Sequence, residues 1–153
     1  MSCSTDRIEQ TIVLHAPRAR VWRALADPRE FGTWFRVRLT GNFAPGERMQ
    51  GQVTYPGFEH LTFEIAVERM EPPRLLSWRW HPAAVEADVY YSNEPTTLVV
   101  FELAEIPEGT RLAVVESGFD RLPPARRTQA HRINTEGWAE QLKNIERHVS
   151  PTS

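Results

Sequence analysis

From Arg36 to Phe119 the chain consists of short stretches of alternating hydrophobicity divided by turn residues. "LTFEIAVERM" sets Leu61, Phe63, Ile65 and Val67 against Thr62, Glu64, Ala66 and Glu68, the period of a half-buried strand. "RLLSWRWHP" follows a Pro72-Pro73 break and puts Leu76, Trp78 and Trp80 on one face. "TTLVVFELAEI" and "TRLAVVESGF" are two more strands, joined by the short "PEGT". "FAPGE" and "YPGF" are turns, and Pro56-Gly57 has the order a type II turn prefers. Parallel neighbours need a crossover of about a dozen residues or more, and these connections are shorter. About six strands should therefore form a mainly antiparallel sheet. Within this region "AAVEADVYYSNE" has no clean period and reads as a loop or strand extension. A lid or a dimer contact are the roles that residues 83–95 suggest.

The flanks supply the helices. "RIEQTIVLHAP" alternates as a strand, with Ile8, Gln10, Ile12 and Leu14 on one side. Pro17 suits the start of a helix whose buried stripe is Val21, Trp22 and Leu25. In "DPREF", Asp27 is the expected N-cap, Pro28 the first helical residue and Glu30 the partner of a capping box. Phe31, Trp34 and Phe35 then give this second short helix an aromatic face. After Pro123-Pro124 a long final helix carries Ile133, Trp138, Leu142, Ile145 and Val149 as its stripe. Gly137 interrupts it beside Trp138, a weak point of roughly 0.5–1 kcal/mol relative to alanine. A close approach of helix to sheet at Gly137 is the expected reason. The order strand, two helices, six strands, helix is that of an α+β domain with helices on one side of the sheet.

At 153 residues the chain is long enough for one domain with a sizeable core, residues 1–6 being read as a flexible tail. A net charge of −2 gives no broad attraction to nucleic acid or to an anionic membrane. The single cysteine, Cys3, excludes an internal disulfide, no apolar run reaches a membrane span, and the first fifteen residues show no leader pattern. A cytoplasmic location is expected.

Several of these segments are familiar together. "AP…VW.AL.DP…F..WF" (Ala16 to Phe35), "ESGF" (Glu116 to Phe119) and "N..GW...L" (Asn134 to Leu142) resemble homologues of the activator of the Hsp90 ATPase. That family lies in the START-like, birch-pollen-allergen-like superfamily. The resemblance spans residues 7–149 and implies a helix-grip fold, in which a bent antiparallel sheet wraps the C-terminal helix and leaves a cavity. It further implies either binding of lipids, hormones or polyketides, or contact with a chaperone.

Candidate site residues follow from which side chains face inward. Trp78 and Trp80 share a face, with Phe63 and Phe101 joining from other strands, and Trp138 faces them from the helix. Alternation with Leu112 and Val114 turns Glu116 inward, while His131 and Asn134 lie one to two turns before Trp138. Arg36, Arg38, Arg79 or His131 are the cations available to Glu116. The arginines at 121, 126, 127 and 132 crowd the start of the last helix, against its dipole, and read as a solvated face. The histidines form no metal-ligand pair, and there is no phosphate loop or nucleophile elbow, so no metal or cofactor is expected.

The expected function is binding of a small apolar or aromatic ligand between sheet and helix. Phe63, Trp78, Trp80, Phe101 and Trp138 would form the walls, and Glu116, His131 and Asn134 would orient the ligand's polar end. The alternatives are a chaperone-binding module, with self-association also open, and an acid–base enzyme using Glu116. No extra N-terminal region of the eukaryotic activator kind is seen, which ranks the chaperone reading second.

Overall fold

The computed structural model describes residues 7–57, 59, 61–81 and 95–150. The tail expected at residues 1–6 and nearly all of the 83–95 segment lie outside them. Strand β1 (Arg7–Leu14) leads into helix α1 (Arg18–Ala26) and helix α2 (Pro28–Phe35). Strands β2 (Val37–Thr40), β3 (Arg48–Val53), β4 (Thr62–Glu71), β5 (Leu75–Trp80), β6 (Thr97–Ile106) and β7 (Gly109–Ser117) follow. A single 3₁₀ turn (Phe119–Arg121) precedes helix α3 (Pro124–Val149). The seven strands pair antiparallel in the order β1-β7-β6-β5-β4-β3-β2, and the curved sheet holds α3 against its inner face.

Local chemistry sets the boundaries. Asp27 caps α2 by accepting from the backbone N–H groups of Arg29 (2.9 Å) and Glu30 (3.3 Å). The expected reciprocal bond from Glu30 is not made, because the Asp27 N–H already donates to the carbonyl of Arg23. At the other end α2 stops at Arg36, which takes the left-handed conformation (φ 67°) so that the chain can turn into β2. In β4 the register shifts between Val67 and Arg69, and the buried Ser77 hydroxyl takes the Arg69 N–H displaced by that shift (3.2 Å).

One core fills the space between the inner sheet face and the three helices. Its strand residues are those the alternation placed inward, among them Phe63, Ile65, Val67, Trp78, Leu112 and Val114. On α3 the buried stripe is Ala130, Asn134, Trp138, Leu142, Ile145 and Val149. Asn134, expected near this stripe, lies within it, while Ile133 is half-buried and packs against its edge. The close approach expected at Gly137 is not there. A Cβ added at Gly137 would meet nothing within 4 Å, so this glycine faces out while Trp138 faces in. The tight helical glycine is Gly32 in α2, where a Cβ would stand 2.2 Å from the carbonyl oxygen of Val37.

The far end of α3 is tied down by charge. Glu30 accepts from Arg20 (2.6 Å), from Arg23 (2.5 Å) and from His148 (3.0 Å), while Arg20 also reaches the His148 carbonyl (3.4 Å). Burial pushes the Glu30 carboxyl up, but the bonds from His148, Arg20 and Arg23 outweigh it and hold the group below the usual glutamate range. Among the described residues no helix is long and apolar enough to cross a membrane.

Two predictions follow from these contacts. Gly137→Ala should raise the unfolding free energy by about 0.5–1 kcal/mol and Gly32→Ala lower it by about 2–3 kcal/mol, both read from urea unfolding. A gain at Gly32 would contradict the described packing. Because the folded Glu30 pKa lies below its unfolded value, its stabilisation is full above the ordinary value of about 4.3 and fades as pH falls through the lowered one. Glu30→Gln should thus cost about 1 kcal/mol at pH 7, and the gap to the unaltered protein should close on acidification in a pH series of unfolding curves.

Candidate functional site

Glu116 is fully buried near the end of β7, turned inward by the same alternation that buries Leu112 and Val114. Its cross-strand partners are Val99 on β6 and Ile8 on β1. Two residues before Val99, on the same face, Thr97 pairs with Trp80 of β5, so both side chains stand next to the carboxyl group. From above, Asn134 and Trp138 project from successive turns of α3.

These elements put four donors on one carboxyl. Oε1 accepts from Trp138 Nε1 (2.8 Å) and Asn134 Nδ2 (2.9 Å). Oε2 accepts from Trp80 Nε1 (2.8 Å) and the Thr97 hydroxyl (2.5 Å), with the Asn134 amide also at 3.1 Å. A carboxylate offers about four lone-pair sites and no hydrogen, and here Oε1 has two donors and Oε2 two with a share of the Asn134 amide. Among the described residues no cation bonds to it. Fixed N–H and O–H dipoles replace the water that burial removed, and such bonds to an ionised acceptor are shorter and stronger than neutral ones. With its lone pairs committed to these donors, the group fixes the four side chains around it.

Around this polar centre stands a layer of aromatic rings. The closest backbone neighbours of α3 are β1, the 3₁₀ turn, α1 and α2. Toward β4 and β5 the space is bridged by side chains. Trp138 has Phe101 at 5.7 Å, Trp80 at 5.8 Å, Phe35 at 6.2 Å and Trp78 at 6.4 Å between ring centroids. Phe63 stands 5.9 Å from Trp80 and 5.3 Å from Phe35, which stacks on Phe31 at 4.7 Å. Phe35 and Trp80 are half-buried, whereas the other rings of this group are buried. Trp34, Trp80 and Trp138 each give their indole N–H to an acceptor at 2.8 Å. Trp78 is fully buried and its N–H has no acceptor among the described residues, a deficit of about 1–3 kcal/mol.

Seven of the eight residues singled out from the sequence meet here: Phe63, Trp78, Trp80, Phe101, Glu116, Asn134 and Trp138. His131 does not. Its Nε2–H donates to the Arg7 carbonyl (3.0 Å) and its ring packs edge-on against Phe119 at 5.3 Å. The cations considered for Glu116 are engaged elsewhere or exposed: Arg79 pairs with Glu68 (2.5 Å), Arg36 lies over Tyr55, and Arg38 is on the surface. Thr97 and Phe35 were missed. Thr97 shares its face with Val99 and Phe101, so the alternation of "TTLVVFEL" could have found it. Of the basic cluster, Arg127 donates to the carbonyls of Asp120 (3.1 Å) and Leu122 (3.3 Å), closing the turn before α3. A separate open depression of about 400 Å³ lies beside Trp22, Pro28 and Phe43. Its charged residues, Arg23 and Asp27, are already held by Glu30 and by the α2 cap.

Over residues 15–150 the chain matches the family described as activator of Hsp90 ATPase homolog 1-like protein, and it belongs to that family. No curated protein matches it. Among solved structures, protein MLL2253 from Mesorhizobium loti is similar with a TM-score of 0.74 and 23% identity, covering 93% of this chain and 95% of that one. DynU16, a protein in the dynemicin biosynthetic locus, gives 0.72 and 24% over 94% of this chain and 46% of its own. CalU16 from Micromonospora echinospora gives 0.61 and 23%, covering 95% of this chain and 75% of that one. Likeness at these identities shows the fold alone, the helix-grip arrangement that the sequence resemblance implied.

Removing the shared acceptor should be expensive. Glu116→Ala strands four donors, three of them on buried residues, and is expected to lower the unfolding free energy by about 3 kcal/mol or more, the cost of breaking a buried charged network. Denaturant unfolding measures this, and a loss under about 1 kcal/mol would show that the four bonds do not act together.

Proposed function

We propose that this member of the Hsp90 ATPase activator homologue family binds a small apolar or aromatic molecule between the sheet and α3. Phe63, Trp78, Trp80, Phe101 and Trp138 form the walls, and Asn134 and Glu116 hold the polar floor. His131 braces the start of the helix instead of touching the ligand. What supports the reading is that rings, not backbone contacts, span the distance from α3 to β4 and β5. Rings can turn aside to admit a guest where a helix seated directly on a sheet cannot. Phe35 and Trp80, the half-buried pair, are the ones to move. Phe35 is the freer, since Trp80 is tethered to Glu116. Occurrence of the same fold in DynU16, from a biosynthetic locus, agrees with a small-molecule role. Acid–base chemistry at Glu116 is disfavoured by its four committed bonds.

Intrinsic tryptophan fluorescence, titrated with a panel of aromatic and aliphatic compounds, tests the reading. Saturable quenching is expected, with affinity rising several-fold in Phe35→Ala, which enlarges the entrance, and falling in Trp138→Ala if that variant remains folded. A flat response across the panel in both the unaltered protein and Phe35→Ala would remove the binder. Stoichiometric association with Hsp90 by calorimetry would then favour the chaperone module.

A further inference from the structure

The identity of the guest can be narrowed from two features of the ring layer. The first is the unmatched N–H of Trp78. Its ring is enclosed by Trp80 (5.0 Å), Phe101 (5.7 Å), Phe63 (6.2 Å), Phe31 and Trp138 (both 6.4 Å). Those neighbours offer only ring faces, which are much weaker acceptors than an oxygen. Native interiors rarely leave a donor in this position, and the three other indoles that bond at 2.8 Å follow the rule. A ligand oxygen arriving at Trp78 gains a full hydrogen bond without breaking one already made.

The second feature is the charge of the floor. Glu116 lies under Trp80 and Trp138, and its four donors, Trp80, Thr97, Asn134 and Trp138, are all uncharged. A ligand carboxylate placed among these rings would face a buried carboxyl group with no cation bonded to either. Fatty acids and aromatic acids are therefore poor guests. The ring geometry, with most contacts edge-to-face or tilted, suits a flat aromatic body.

We propose that the guest is an uncharged aromatic carbonyl compound whose oxygen accepts from Trp78 Nε1–H. This rests on the binding function proposed above and specifies its ligand class. The probes are 1-tetralone, the hydrocarbon tetralin, which has the same ring skeleton without the oxygen, and the anion 1-naphthoate. Tetralone should bind roughly tenfold more tightly than tetralin, the value of one buried hydrogen bond newly made, and naphthoate weakest of the three. In ¹H–¹⁵N spectra the Trp78 indole N–H, assigned in the unaltered protein by correlation to its own ring and backbone, should move downfield with tetralone and not with tetralin. Trp78→Phe should bring the tetralone-to-tetralin affinity ratio close to one, thermal melting confirming that the variant folds. Should that variant unfold, the indole shift in the unaltered protein decides alone. Equal binding of tetralone and tetralin, a stationary Trp78 signal, or preference for naphthoate overturns the ligand class while leaving a binding protein. Failure of all three probes in both the unaltered protein and Phe35→Ala overturns the ligand class, and the binding function falls with it only if the wider aromatic and aliphatic panel is silent as well.

Discussion

A buried carboxyl group has few ways to exist, and the organisation of this protein follows from the one Glu116 has found. Without a cation, it needs enough donors to replace its lost hydration, and those donors must come from parts of the chain far apart in sequence. Trp80, Thr97, Asn134 and Trp138 lie 36, 19, 18 and 22 residues away. They can meet only when β5, β6 and β7 are in register and α3 has its correct rotation. A one-residue slip of β7 would turn Glu116 to the outer face and Ser117 inward, ending all the bonds at once. The cluster therefore contributes less as a sum of hydrogen bonds than as a lock on strand register and helix azimuth.

The aromatic layer is a consequence of that lock. With α3 aligned by Asn134 and Trp138 and seated on β1, α1 and α2, it meets β5 through side chains rather than through close backbone contact. Indoles and phenyl rings make that contact, contributing large buried area and preferring the edge-to-face contacts observed among them. Such packing is dense, yet it is made of plates that can swing about two torsions. Members of one superfamily can thus present either a filled interior or an occupied one from the same frame, and fold alone does not separate a ligand carrier from a chaperone partner.

Much of this was legible in the chain. Period-two alternation in "LTFEIAVERM", "RLLSWRW" and "TRLAVVES" assigned each inner side chain to its face, and short connections made the sheet antiparallel before any pairing was known. What alternation cannot say is which inward groups meet. It turned Glu116 inward but not onto Thr97 or two indoles, and a search among cations looked for charge where dipoles sufficed. On α3, Ile133 and Asn134 differ by only one position and both face the core side, but only the polar residue, which has a buried partner, is itself buried. Gly137 misled because its neighbour Trp138 faces inward, and adjacent helical residues point about 100° apart. His131 follows Ala130 at the edge of the stripe and answers to the β1 backbone instead.

Glu30 gives α3 a second anchorage through His148 at its C-terminal end, beyond the one that Asn134 and Trp138 make near its middle. A rod pinned at its middle and at one end cannot slide or swing away as a whole. For the binding proposed above, the breathing that admits a guest is then left to what leans on the span between those pins, where Gln141 donates to the Phe35 carbonyl at the end of α2. On that reading the short helix would be the doorway and the long one its doorpost.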